Sequence, residues 1–220
     1  MKTKIKKSIV LAGLLGIISM HASASVYNFV NLIDTNNGSI TGTLGNGNAF
    51  SGNPGEAGFQ TFDWTVDGLT LTATGSTVTG GAFAYLDSGN AGLGVCKALT
   101  GNNQCTPSSD DNVTINEILD LHFNKLAEID FNQVVFRDAN HNIINPNIEI
   151  SINGGGFSAL NLASVQQGTD FAFRTLNQAN QFYISVLSAD EVTVSTPGTL
   201  VLLALGLVGL GATRRKHNLV

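Results

Sequence analysis

The sequence predicts an all-β protein: a single antiparallel β-sandwich domain, jelly-roll-like, flanked by an N-terminal signal peptide and a short C-terminal transmembrane helix. Between residues 25 and 194, apolar and polar residues often alternate with a period of two, whereas a helical period is hard to find. Turns rich in Gly and Asn separate the alternating runs, as is typical of β-sandwiches. No fixed-period repeat stands out, which disfavours a solenoid or a propeller.

The N-terminus, residues 1–24, has the order of a secretory signal peptide. Four lysines precede an apolar run at residues 8–20, and the tripeptide Ala22-Ser23-Ala24 follows. We expect cleavage between Ala24 and Ser25, which makes the Sec translocon and signal peptidase partners of the precursor. The alternative is a membrane anchor or a core helix, but the run is short for a membrane span and a strand-like segment follows it directly.

The segment 25–194 reads as one extracellular domain built from strands. Residues 59–66 and 69–74 alternate and are rich in aromatic and β-branched residues, and Asp67-Gly68 between them is a hairpin signal. These two runs therefore predict an antiparallel pair. Further predicted strands span residues 26–33, 82–86, 118–123, 129–136, 148–152, 170–174, 182–187 and 191–194.

The charge of this domain is strongly asymmetric. All sixteen acidic residues of the chain lie between residues 25 and 194, against four basic ones, so the domain carries a net charge of −12. A lysine-poor, acidic surface repels phosphate backbones and anionic lipid headgroups, so we expect no nucleic-acid partner. It suits a soluble extracellular protein or one that attracts divalent cations.

The two cysteines, Cys96 and Cys105, lie in a segment rich in Gly, Asn and Ser. In an oxidising compartment we expect them to form one disulfide that closes a surface loop. A zinc site would need a further ligand pair, and the spacing differs from the C-x-x-C redox motif.

The C-terminal segment, residues 195–220, differs in kind from the domain. Residues 199–213 carry no charge and are followed by Arg214, Arg215 and Lys216. As a helix these fifteen residues would be about 22 Å long, a marginal span of a hydrocarbon core of about 30 Å. The positive-inside rule would leave the basic end in the cytoplasm and the acidic domain outside the inner membrane. The alternative is a buried C-terminal core helix.

A proline, a short Leu/Gly/Ala-rich span and a terminal basic cluster together resemble the PEP-CTERM sorting signal of Gram-negative bacteria. Pro197 matches the second proline of that signal, 199–213 the span, and Arg214, Arg215 and Lys216 the basic end. Ser195 and Thr196 stand where the family has its first proline and its glutamate, which leaves the cleavage position open. The resemblance implies processing by an exosortase and delivery to the cell surface or extracellular matrix.

Two clusters of oxygen-bearing side chains are candidate calcium sites. In the first, Asp138, Asn140, Asn142 and Glu149 occupy positions 1, 3, 5 and 12 of a calcium-loop pattern, although position 6 is Ile143 rather than glycine. In the second, Asp110, Asp111, Asn112 and Glu117 follow Cys105. The alternative for both is a solvated turn, since Asp and Asn favour turns for their own backbone hydrogen bonds.

No catalytic motif stands out, so we expect a protein that is not an enzyme. Only His122 and His141 lie in the domain, and neither stands in a nucleophile-elbow or zinc-protease context. The leading interpretation is a non-enzymatic protein of the cell surface or matrix. The alternative is a carbohydrate-binding β-sandwich, with or without calcium, that contacts extracellular polysaccharide. A secreted hydrolase would require acid and base groups clustered in a cleft.

Overall fold

The structure is a computed structural model that describes residues 24–193. Most of the predicted signal peptide, residues 1–23, and the whole predicted sorting tail, residues 195–220, lie outside the described residues. Fourteen strands and one α-helix are described: β1 Ser25–Asn28, α1 Phe29–Asp34, β2 Ile40–Leu44, β3 Ala49–Gly52, β4 Ala57–Val66, β5 Leu69–Thr77, β6 Gly80–Asp87, β7 Gly92–Cys96, β8 Glu117–Asp130, β9 Val135–Arg137, β10 Ile143–Ile144, β11 Glu149–Ile152, β12 Ser158–Ala159, β13 Val165–Arg174 and β14 Tyr183–Glu191.

The prediction of an all-β, antiparallel domain is confirmed, because all pairings between these strands are antiparallel. The hydrogen-bonded order is β10-β9-β14-β7-β6-β4-β5-β8-β13-β11-β12. An additional pairing of β14 with β8 closes this path on itself. Strands β2 and β3 extend from β4, and β1 adds to β14.

The predicted β4–β5 hairpin is confirmed. Its turn residues Asp67 and Gly68 both have positive φ, at 49° and 81°, as a two-residue type I′ turn requires. The predicted strand at 26–33 is only half right, because it breaks after Asn28 into helix α1. The Asn28 side chain accepts the Asn31 N–H and caps the helix, while Phe29 and Leu32, three residues apart, turn into the core.

One long strand, β8, joins regions that the sequence predicted as separate. Asn124, Lys125 and Leu126 in its middle are all exposed, and the register with β13 shifts there: Gly168 pairs with Ala127, but Asp170 pairs with His122. This irregularity has the character of a β-bulge, which bends a strand and re-aims its side chains. It sets Asp170 directly opposite His122.

A single large core lies between the strands and is dominated by aromatic residues. Trp64 is 7 % exposed, and its ring centroid lies 5.8 Å from that of Tyr27 and 5.6 Å from that of Phe29. The ends of the described chain meet, because Ser25 in β1 pairs with Ala189 in β14. Among residues 24–193, no helix is long and apolar enough to cross a membrane.

Candidate functional site

A polar groove of about 430 Å³ lies on the solvent side of β5, β8, β13 and β11. The alternation of these strands explains its character: inward positions such as Leu121 and Phe171 are buried in the core, and the residues beside them face outward. Ala172 leaves the floor of the groove open because its side chain is small. The polar side chains that line the groove include Thr72, Thr74, Asp120, His122, Ser151 and Asp170.

An imidazole and a carboxylate meet at the centre of the groove. His122 Nδ1 lies 2.7 Å from Asp170 Oδ1, and their side chains are 57 % and 53 % exposed. Asp170 also accepts a 2.6 Å hydrogen bond from the Thr169 hydroxyl. The bonds from Thr169 and His122 lower the pKa of Asp170, because they favour its charged form. The side-chain oxygen of Asn153 accepts the backbone N–H groups of Thr169 and Asp170, which fixes the bulge that presents this carboxylate.

Asp120 is the second carboxylate of the groove and lies two residues before His122 on the same face of β8. It is half-buried and accepts a 2.9 Å hydrogen bond from Ser76 Oγ. Burial raises its pKa, and the Ser76 bond only partly opposes the shift. The groove therefore holds two carboxylates whose surroundings shift their pKa values in opposite directions.

A second polar group, the carboxylate cluster, comprises Glu56, Asp87 and Asp111 with the side chains that contact them. His141 Nε2 lies 3.3 Å from Asp87 Oδ2, and His141 Nδ1 lies 2.7 Å from the Gly89 carbonyl oxygen. The His141 ring also contacts the Tyr183 ring edge-on, at 5.6 Å between centroids. The remaining contacts are hydroxyl donors: Tyr183 to Asp111, and Tyr85 and Ser88 to Glu56.

Burial is the main influence on the carboxylate cluster. It raises the pKa of Asp87 to about 6, and the neighbouring charges of Asp111 and Glu56 add to the shift. Burial also raises the pKa of Asp111, against the hydrogen bond from Tyr183. Asp87 is only 8 % exposed, so a dissolved ligand has little access to it. Asp87 is therefore part of the interior, while Glu56 and Asp111 are partly exposed.

The first candidate calcium cluster is not brought together as one ligand set. Asp138 accepts the backbone N–H groups of Asn140 and Asn142, at 2.8 and 2.9 Å, and so closes its own turn. Glu149 lies on β11, where its carboxylate bonds the Arg174 guanidinium at 2.7 Å. The predicted grouping of Glu149 with the Asp138 loop is therefore wrong, because the β11–β13 pairing places the Glu149 carboxylate beside Arg174.

The second candidate calcium cluster is divided between two neighbourhoods. Lys97 Nζ lies 3.0 Å from Asp110 Oδ1 and 2.7 Å from Glu117 Oε1, so an ammonium group already stands between these two carboxylates. Glu117 is fully buried and also accepts the Thr114 N–H at 2.8 Å. Burial raises the pKa of Glu117 to about 7, although Lys97 opposes the shift. Asp111 instead meets Tyr183, and Asn112 is 2 % exposed.

The predicted disulfide is present. Cys96 at the end of β7 is bonded to Cys105, with 5.8 Å between their Cα atoms. Both cysteines pack against Tyr85 and Leu99 in a small apolar cluster. The disulfide therefore closes a loop that is packed against the body of the domain.

Of the predicted cleavage residues, Ala24 is half-exposed and Ser25 is 3 % exposed. The Ser25 hydroxyl donates to the Val66 carbonyl oxygen at 3.1 Å.

The grouping of Asp120, His122 and Asp170 in the groove was not predicted from the sequence. His122 and Asp120 lie on the solvent face of β8, but Asp170 comes from β13. The available signal was the pattern Asp120-x-His122, which places two titratable groups on one outward face.

Across residues 24–193, no group of three or more His, Cys, Asp or Glu side chains is arranged to hold a metal ion. Comparisons of the chain with protein-family models, with curated proteins and with solved structures give no match.

Proposed function

We propose that this chain is an exported protein of the bacterial cell surface or extracellular matrix, and that its domain, a jelly-roll-like β-sandwich, binds polysaccharide in the polar groove. The groove itself carries the proposal. Its volume, about 430 Å³, lies within the range of small-molecule binding sites, and hydroxyl, carboxylate and imidazole groups converge on it. Such groups donate to and accept from sugar hydroxyls.

Charge narrows the ligand class. The domain's net charge of −12 and the two carboxylates of the groove repel polyanions. Neutral polysaccharides and those with amino groups are the ligands that this surface tolerates best. Trp64 is not the contact surface, because it packs in the core. Recognition would therefore depend on hydrogen bonds to the Thr74 hydroxyl and the His122 ring, with the Thr72 oxygen as an acceptor because its hydroxyl already donates to Asp63.

A glycan array with the full-length chain tests the binding. Ala172 lies in the groove, so Ala172→Tyr would fill its floor and should abolish binding of whichever polysaccharide the wild type retains. Ala159 is exposed on β12 and lies outside the groove, so Ala159→Tyr is the matched control and should bind as the wild type does. A wild type that retains no glycan, or equal binding by the two variants, would remove the groove as a carbohydrate site.

The export part of the proposal depends on the two ends of the sequence. The inner membrane would hold the precursor through 199–213 until an exosortase-like enzyme cuts near Pro197. The described chain ends beside β8: the Val192 N–H donates to the Leu126 carbonyl oxygen at 2.9 Å, four residues from His122 of the groove.

Cell fractionation tests the sorting. Removal of residues 197–220 should leave the domain folded but absent from the cell surface, and neutral residues at Arg214, Arg215 and Lys216 should weaken retention of the precursor. Mass spectrometry of the surface form should find its C-terminus near Pro197. A surface form that still contains 199–220, or a truncated chain with unchanged location, would overturn the sorting proposal.

A further inference from the structure

The polar groove holds two carboxylates in contrasting settings on neighbouring strands. Asp120 is half-buried, with Ser76 as its hydrogen-bond donor, whereas Asp170 is exposed and bonded to Thr169 and His122. The first setting favours the protonated acid and the second favours the carboxylate. Two carboxyl groups with pKa values shifted apart are the usual means of dividing acid and base roles in one site.

The strand register fixes how these groups face each other. In the β8–β13 pair, His122 is opposite Asp170 and Asp120 is opposite Ala172. Asp120 and Asp170 are therefore diagonal neighbours on one face of the sheet, a relation that places Cα atoms roughly 7 to 8 Å apart. Inverting glycoside hydrolases, in which one carboxylate activates water as a general base, hold their two carboxyl groups about 6.5 to 9.5 Å apart, a span within reach of the side chains of diagonal neighbours. The small side chain of Ala172 leaves space between them.

We propose that the groove hydrolyses glycosidic bonds, with Asp120 as general acid and Asp170 as general base. The inference rests on the proposed function, because the groove must first take a polysaccharide. The sequence alone favoured a non-enzymatic protein since a hydrolase needs acid and base groups clustered in a cleft. The groove supplies that cluster.

The chemistry requires only water as co-reactant. Asp120 gives its proton to the glycosidic oxygen, and the bond from the anomeric carbon to that oxygen breaks. Asp170 takes a proton from water, whose oxygen forms the new bond to the anomeric carbon. One sugar alcohol and one hemiacetal leave, and the proton gained by Asp170 replaces the one lost by Asp120 through solvent. His122 is a positioning residue: its Nδ1–H donates to Asp170 and orients the carboxylate.

The test uses full-length protein and fluorescently labelled β-1,4-linked hexamers of glucose, N-acetylglucosamine and glucosamine. Binding is followed by polarisation, and cleavage by chromatography of the labelled products. We expect at least one hexamer to be bound and shortened. Asp120→Asn and Asp170→Asn should each bind it but cleave it at least about 100-fold more slowly, the usual contribution of general acid–base catalysis. The matched control is Asp67→Asn, which removes the same charge from an exposed turn where Asn tolerates positive φ.

The outcomes separate the two proposals. Binding without cleavage of any hexamer overturns hydrolysis but leaves carbohydrate binding standing. If none of the three is bound, hydrolysis fails, and the glycan array decides whether carbohydrate binding stands. Cleavage that persists in both Asn variants overturns the assignment of Asp120 and Asp170. Wild-type melting temperatures in all three variants exclude misfolding, and His122→Gln should narrow the range of pH over which cleavage is fast.

Discussion

Two histidine–aspartate pairs occur among residues 24–193, and they differ mainly in their access to solvent. His122 and Asp170 lie on an open groove with more than half of each side chain exposed. His141 and Asp87 are 32 % and 11 % exposed and lie among two further carboxylates and two tyrosines. The same two residue types thus form a candidate binding site in one place and an internal network in the other.

The difference shows how burial decides what a polar pair does. At the groove, water stabilises both partners, so the pair adds little to stability and its groups are available to a ligand. In the carboxylate cluster, desolvation is the largest influence on the pKa of Asp87, and in such a setting polar contacts count more towards stability than they do at an open surface. Changes at the cluster should therefore alter stability, and changes at the groove should alter binding.

The largest expected effect is a loss of stability as the pH rises, to which Asp87 of the carboxylate cluster and Glu117 both contribute. Burial raises the pKa of Asp87 from 3.8 to about 6, so the folded state holds its proton more tightly than the unfolded state does. This contribution is complete below pH 3.8 and is lost as the pH rises through 6, and a shift of this size corresponds to at most roughly 3 kcal/mol. Urea unfolding at pH 4, 5, 6 and 7 measures it.

Asp87→Asn is the variant that isolates this residue. It cannot ionise, so its unfolding free energy should fall less between pH 4 and 7 than that of the wild type. Part of the fall should persist, because burial also raises the pKa of Glu117, to about 7. Parallel pH profiles for wild type and variant would show that Asp87 is not the source.

The second prediction compares the histidines directly. His141→Ala removes the contacts to Asp87, to the Gly89 carbonyl and to the Tyr183 ring, and should cost about 2 kcal/mol of unfolding free energy. His122→Ala should change it by less than about 0.5 kcal/mol, because its pair is exposed. Thermal and urea unfolding at one pH give both values. Equal costs for the two variants would contradict the division between an internal network and an open site.

Local patterns in the sequence predicted local structure well. Asp67-Gly68 predicted a hairpin turn because both residues accept positive φ. Strand β7 was missed because its alternate glycines read as turn residues. They serve instead for close approach: a Cβ on Gly92 would lie 2.5 Å from the Ile184 carbonyl oxygen, and one on Gly94 would lie 2.1 Å from that of Asp111. The requirement for glycine at these two positions arises only when the distant segments of Ile184 and Asp111 pack against β7, so the local sequence does not reveal it.

The candidate site was less predictable for the same reason. His122 and Asp170 are 48 residues apart, and their meeting depends on the register shift in the β8–β13 pair. A shift of one residue would send Asp170 to the opposite face. Alternation in β8 could place Asp120 and His122 outward, but it carried no information about the neighbouring strand.

A third, smaller effect should follow from Tyr183→Phe. The variant keeps the ring against His141 but removes the hydroxyl that donates to Asp111. Asp111 would lose a donor to its charged form, so its pKa should rise further, and we expect a cost of about 1 kcal/mol at pH 7. The protonated form of Asp111 depends less on this donor than the charged form does, so the loss of unfolding free energy should be smaller at pH 4. A cost that is the same at both pH values would show that the hydroxyl acts only through packing.

The smallest expected effect is that of calcium, which bears on the second cluster predicted from sequence. Lys97 already places a positive charge between Asp110 and Glu117, at 3.0 and 2.7 Å, so calcium would have to displace an ammonium that neutralises the same two carboxylates. Ligand-induced stabilisation depends on how much more tightly the folded state binds the ion. We therefore expect millimolar calcium to shift the melting temperature of the wild type by less than about 1 °C, since about 1 kcal/mol corresponds to a few degrees in a domain of this size.

Lys97→Ala provides the sensitive comparison for calcium. Without the ammonium, Asp110 and the fully buried Glu117 face each other uncompensated, so this variant should be less stable than the wild type and should regain part of the loss when calcium is added. The groove lies elsewhere, so glycan binding should not respond to calcium in either protein. Melting curves with calcium and with a chelator measure both effects. A wild type that gains several degrees, or a variant that gains no more than the wild type, would mean that Lys97 does not occupy the place of the cation.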